Sequence, residues 1–217
     1  MGARQDPPLG EEIANSVLHG VGAALAVAAL ATLVTLAALR GDARHIVGCA
    51  VFGGALVAMF ASSTLYHAIT HRGAKGVLRV MDHSAIYLAI AGTYTPFLLV
   101  SLPGAWGRSL LAVVWAAALA GIVLTSTVGR RLGGLRVAIY IAMGWVGVVA
   151  FRPLLASLGA GGVSLVVGGG IVYTVGTVIY AWRGLPYHHA IWHVFVLGGS
   201  ALHVLAVWWY VIPGARG

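Results

Sequence analysis

The sequence predicts an all-α integral membrane protein, a bundle of seven transmembrane helices with its N-terminus inside and its C-terminus outside. Three observations carry the prediction. Of the 217 residues, 60% are hydrophobic and 8% charged, which excludes a water-soluble domain. Apolar runs of roughly 20 residues, enough to cross about 30 Å of hydrocarbon, recur along the whole chain. The breaks between them are short and hold nearly all of the Arg and Gly-Pro punctuation.

In chain order, a polar segment over residues 1–15 leads into a first helix at about 16–38. Its start, "MGARQDPPLGEE", has too few positive charges for a signal peptide, and Asp6 stands where N-myristoylation wants Ser or Thr, so neither cleavage nor acylation is expected. "RGDAR" separates helix one from helix two at about 45–67, and "HRGAKGVLR" precedes helix three at about 83–101. "SLPGAWGR" and "GRRLGG" bound helix four at about 108–128. "RPLLASLGAGG" divides helix five, about 134–153, from helix six, about 162–182. After "RGLPYH" comes helix seven at about 189–211, and residues 212–217 form a short tail. Residues 16–211 thus make one transmembrane domain, whose abundant Gly and Ala suit close helix packing in lipid.

Thirteen Lys and Arg face five Asp and Glu, a net charge of +8. Because the basic residues sit between apolar runs, they set topology and meet anionic head groups, and no nucleic-acid partner is expected. With the N-terminus inside, the inner segments hold Arg4, Arg72, Lys75, Arg79, Arg130, Arg131, Arg136 and Arg183, eight in all. The outer segments hold five, Arg40, Arg44, Arg108, Arg152 and Arg216, so the positive-inside rule favours this orientation. The lone Cys49 cannot form an intrachain disulfide.

Ionisable side chains within membrane segments are costly, so their positions point to function. Glu12, Asn15 and His19 share one face of helix one at i, i+3 and i+7. Helix two ends with Ser63 and His67 at i and i+4, helix three opens on "MDHSAIYLAIAGTYTP", and helix seven opens with His189 and His193, again at i and i+4. In a serpentine bundle these four ends lie at the same membrane face. Three neutral imidazoles from two helices, beside an acid, are the inventory of a zinc site with one open position, and i, i+4 spacing lets two imidazoles reach one ion. His67 supplies the third ligand from the facing helix. Asp82 is placed to orient or deprotonate an attacking water, and Ser63 to hydrogen-bond a ligand or a substrate carbonyl.

Other histidines have plainer expectations. His188 and His71 read as solvated loop residues, and His45 as an interfacial residue beside Arg44 at the opposite face. His203 lies about 21 Å along its helix from His189, too far to share a metal, and suits a hydrogen bond across the bundle. His19, about 10 Å along helix one from Glu12, suits the cavity or the surroundings of the ligands rather than ligation.

"EEIANSVLHG", "SSTLYH", "MDHSAIYLAIAGTYTP" and "HHAIWHVFVLGGSALH", in this order across residues 11–203, resemble the hemolysin III family. That family is the bacterial branch of the progestin and adipoQ receptor superfamily, which includes the adiponectin receptors. The resemblance implies seven helices, a cytoplasmic N-terminus, the bacterial inner membrane and a zinc ion near the cytoplasmic side. It implies His67, His189 and His193 as zinc ligands, with Asp82 holding the water at the zinc. It also implies hydrolysis of a lipid amide such as ceramide, with the lipid held in an intramembrane cavity among membrane lipids. The chain lacks the long N-terminal region of the animal receptors, so a hormone-receptor function does not carry over. Two alternatives stand beside the hydrolase: a pore, transporter or cytolysin, as the family name records, and a zinc-dependent sensor that turns nothing over. A permeation path would want polar lining at every depth, and past the proposed site only His203 and scattered Ser and Thr supply it.

Overall fold

The structure, a computed structural model, describes residues 8–214, with the backbone alone at 129–132. Residues 1–7 and 215–217, with Arg4, Asp6 and Arg216, lie outside the described residues, as do the side chains of Arg130 and Arg131. Among the described residues every regular element is helical: α1 (Leu9–Arg40), α2 (Ala43–Ala68), α3 (Arg72–Pro96), α4 (Ala105–Trp145), α5 (Phe151–Ala181) and α6 (His188–Ala206). Single π turns extend α3 to Ser101 and α6 to Val211, and a 3-10 turn over Val146–Ala150 joins α4 to α5. Six stretches are long and apolar enough to cross a membrane: Leu9–Arg40, Ala43–Ala68, Arg72–Ser101, Ala105–Val128, Gly133–Ala181 and His188–Val211. The 49-residue stretch Gly133–Ala181 is interrupted at Gly159, whose φ of 68° only glycine adopts freely.

The distribution of side chains is that of a membrane protein. Large apolar residues such as Leu25, Val123 and Val178 are exposed on the outside, whereas Asn15, His67, Asp82, Arg136 and His193 are buried. In water such a surface would aggregate; in lipid it is the solvated face. α1 shows the seam clearly, because its buried residues Glu11, Asn15, His19, Gly22 and Ala26 follow one another at spacings of three and four. α1 packs on α2 and α6, α2 on α3, α3 on α4, and α5 on α6.

Two helices begin earlier than apolar-run counting places them. α1 starts at Leu9 rather than near residue 16, after Pro8, with Glu11 and Glu12 in its first turn where the helix dipole favours acids. α3 starts at Arg72 rather than 83, capped by His71, whose Nδ1 accepts from the Ala74 amide at 3.4 Å. Both extensions carry charge, which a helix tolerates and a hydropathy count ignores. Asp82 therefore sits within the third turn of α3, not at its beginning. At the opposite end α2 starts on a capping box: the Asp42 carboxylate accepts from the amides of Arg44 (2.9 Å) and His45 (3.2 Å), while His45 Nδ1 accepts from the Asp42 amide (3.1 Å). Hydrogen bonds from Arg44 and His45 hold the Asp42 carboxyl below the usual carboxylate range.

Close approach of α1 to α2 depends on Gly53, where an added Cβ would meet Leu30 atoms, backbone included, at 2.7–2.9 Å; beside Gly54 there is open space. Gly53→Ala is therefore expected to destabilise the protein by about 1–3 kcal/mol, as overpacking does. Gly54→Ala should stay within about 0.5 kcal/mol of wild type, and thermal unfolding in mild detergent followed by circular dichroism compares the two.

Candidate metal centre

Helix ends bring the polar residues to one level. The last turn of α2 delivers His67 against the first turns of α1 and α6, where Glu12 and His189 reside. His67, His189 and His193 each offer a ligand atom, and these atoms lie within 4.8 Å of one another. His189 and His193 stand one turn apart with ring centroids 4.6 Å from each other. His67 lies 4.9 Å from the first ring and 5.2 Å from the second.

The hydrogen bonds decide which nitrogens remain available. His67 Nδ1 is engaged by Glu12 Oε2 at 3.1 Å, and its Nε2 is buried with no partner among the described residues. His193 Nδ1 donates to the Asn15 carbonyl oxygen at 3.3 Å, which frees its Nε2. Metal-bound imidazoles are held in this way, one nitrogen on a carboxylate or carbonyl and the other on the ion. An unsatisfied buried imidazole nitrogen facing two further imidazoles fits a metal ion, and three neutral nitrogen donors suit a transition metal. These three histidines can hold one.

The surrounding residues named from the sequence are all near. Glu12 Oε2 also accepts from Lys75 Nζ at 3.1 Å, so one carboxylate serves α2 and α3 together. Asn15 Nδ2 lies 3.5 Å from His67 Nδ1. His19 stacks on His193, centroids 3.5 Å apart at 14°, with both ring nitrogens buried and unpartnered among the described residues. Ser63 and Asp82 are buried, face each other, and border the same cavity as His189 and His193.

That cavity, about 1290 Å³, is graded along its length. His189, His193, Asp82 and Arg79 line it from the early turns of α6 and α3, and Arg136 from just after the break in α4, whereas Phe97 and Leu98 line it from beyond the far end of α3 and Leu154 and Leu158 from the start of α5. Between them His203 gives Nε2 to the Val166 carbonyl at 3.0 Å, the cross-bundle bond expected of it. His188 is half-buried at the first position of α6 rather than in a loop.

Sequence reasoning missed Glu11, Arg79, Arg136 and His83. Glu11, not Glu12, lies on the buried seam of α1, and its Oε1 accepts from the His189 amide at 3.2 Å. The signal was present, since Glu11, Asn15 and His19 are spaced four and four. Arg79 and Arg136 were counted only as topology charges. His83 borders the cavity, and its carbonyl accepts from the Tyr140 hydroxyl at 2.7 Å.

Comparison with known proteins agrees with the motifs. A family model described as Haemolysin-III related matches residues 9–204. The Hemolysin-3 homolog of Bacillus subtilis (strain 168) is 48% identical over 202 residues, 93% of this chain and 95% of that protein. Hemolysin-3 of Bacillus cereus is 45% identical over 205 residues, 94% of each chain. The human Monocyte to macrophage differentiation factor is 28% identical over 219 residues, covering 96% of this chain and 87% of its own, which supports the wider superfamily.

Because Glu12 fixes the tautomer and direction of His67, Glu12→Gln is expected to weaken metal binding about 10- to 100-fold. A zinc titration against a competing chromophoric chelator measures the change.

Proposed function

Since the chain belongs to the haemolysin-III-related family, we propose that it is a zinc-dependent hydrolase of the membrane interior, acting on a lipid amide or another lipid. The observation that carries this is the cavity, lined by a buried acid and by His189 and His193, which converge with His67 just behind them, and lined elsewhere by an apolar floor. An amphiphile fits that gradient. His67, His189 and His193 would hold the ion, which when bound polarises a carbonyl and makes water more acidic. Asp82 takes a proton from the attacking water on a carboxylate oxygen, and Ser63 steadies that carboxylate or the substrate carbonyl. Glu12 and the Asn15 carbonyl keep two imidazoles aimed inward, His19 packs on His193, and the apolar floor shelters the acyl chain from water.

Seven crossings complete the reading. At 1.5 Å per residue the Gly133–Ala181 stretch is about 74 Å long, over twice a bilayer core, and the left-handed Gly159 supports dividing it into two spans. In this reading, which the positive-inside count supports, the N-terminus is cytoplasmic and the C-terminus outside, the membrane is a bacterial inner membrane, and membrane lipids are the partners. Reporter fusions at the two termini should then report opposite sides; the same side for both would leave six crossings.

A pore or transporter would need polar lining through the apolar end of the cavity, where Phe97, Leu98, Leu154 and Leu158 stand instead. A sensor that merely holds zinc differs from an enzyme at Asp82. Purified wild-type protein should contain about one zinc per chain by elemental analysis, and His189→Ala/His193→Ala should contain almost none. Asp82→Asn should keep the zinc and lose hydrolysis of lipid amides in a mass-spectrometric product screen. Zinc-free wild type would sink the metal centre, and full activity in Asp82→Asn would remove Asp82 from the chemistry.

A further inference from the structure

Arg136, on the segment of α4 that follows the break at Gly133, is 8% exposed. It borders the cavity with Arg79 of α3, and both guanidinium groups act electrostatically on Asp82 and His83. The Tyr140 hydroxyl, one turn from Arg136, donates to the His83 carbonyl and fixes the two helices at this level. Among the described residues neither Arg79 nor Arg136 makes a side-chain hydrogen bond or an ion pair within 4 Å, since the ion pairs present join Asp42 to Arg44 and His45, and Glu12 to His67 and Lys75.

Arg136 is buried as a residue and Arg79 half-buried, but no nitrogen of either is among the fully buried atoms that lack a partner, so both charged heads open on the cavity, where a guanidinium without a counter-ion is costly. Among the described residues, three arginines line the cavity, Arg79, Arg136 and Arg183, against two carboxylates, Glu11 and Asp82. Glu11 is already committed to the His189 amide. Asp82 is one acid under the influence of both arginines and makes no ion pair within 4 Å with either. A surface arginine stretching to water would not be this buried, and one placed only for topology would not border the cavity. The missing element is an anion, and a planar guanidinium fork is the group that grips a carboxylate or phosphate.

Resting on the lipid-hydrolase reading above, we propose that Arg79 and Arg136 receive an acidic group of the lipid, so that the substrate class is an anionic amphiphile rather than a neutral one. Its acid lies beside Asp82, its scissile bond toward the histidines and its chain along the apolar floor. Arg79 and Arg136 are specificity-determining residues in this scheme.

The test is binding, not turnover. A fluorescent alkyl phosphate and the alcohol of the same chain are titrated into purified protein in mild detergent, with zinc content measured in parallel. Wild type is expected to bind the phosphate at least about tenfold more tightly than the alcohol, as charge-assisted bidentate contacts do. Arg136→Gln and Arg79→Gln should each lose most of that preference with zinc unchanged, and Arg136→Lys should keep part of it. His189→Ala/His193→Ala should retain it, because the arginines and not the metal grip the anion. Equal binding of phosphate and alcohol by wild type overturns the assignment, as does a preference that survives both Gln variants or vanishes only in the histidine double variant. If Arg136→Gln does not fold, Arg79→Gln decides. Displacement of the probe by inorganic phosphate at the probe's own concentration would show a free-anion site and overturn the lipid assignment. Zinc content and Asp82→Asn turnover judge the hydrolase separately, so either proposal can fail alone.

Discussion

The Glu12 carboxylate, in the first turn of α1, accepts from His67 Nδ1 on α2 and from Lys75 Nζ on α3, each at 3.1 Å. Three helices thus converge on one acidic oxygen. Glu11, rotated about 100° around the same helix, accepts from the His189 amide and ties in α6. At the edge of a low-dielectric bundle such bonds are strong when complete and costly when one partner is lost, so the level of the histidines follows from where α1 begins. A first helix starting near residue 16 would have no acid there to organise the others.

Lipid inverts the usual division of labour. Apolar side chains face outward, where they meet a solvent as apolar as themselves, and small residues such as Gly53 let backbones approach. What is packed inside is disproportionately polar at one end of the bundle and ordinary hydrophobic core at the other. The cavity inherits this gradient from the helices that wall it. His203, deep in the bundle, is held through Nε2 by the Val166 carbonyl oxygen.

Much of this was legible in the sequence. The all-helical membrane character followed from composition and run length, and the meeting of His67, His189 and His193 from counting helix ends. The i, i+4 pair on α6 needed only the helical period. What was not legible had physical reasons. Charged first turns hid the starts of α1 and α3, because hydropathy counting stops where Lys75 or Glu12 appears, although capping and dipole interactions extend the helix through them. Glu11 was passed over for Glu12, since either can share a face with Asn15 and His19 and only packing shows which is buried. Arg136 was invisible as a cavity residue because its burial depends on how α4 turns at Gly133. Capping by Asp42 and His45 was likewise hidden in a loop read only for its charge.

The early start of α3 also has an electrostatic consequence. Arg72, Lys75 and Arg79 stand at i, i+3 and i+7, on one face of the helix, and descend from an exposed Arg72 to a half-buried Arg79 at the cavity. The descent spans about 10 Å, near one Debye length at physiological salt. For a negatively charged molecule at the membrane surface, this is a stair of positive charge leading towards the cavity, with its middle step partly neutralised by Glu12. Attraction exerted by such exposed charges is screened by salt, so this stair is steepest at low ionic strength.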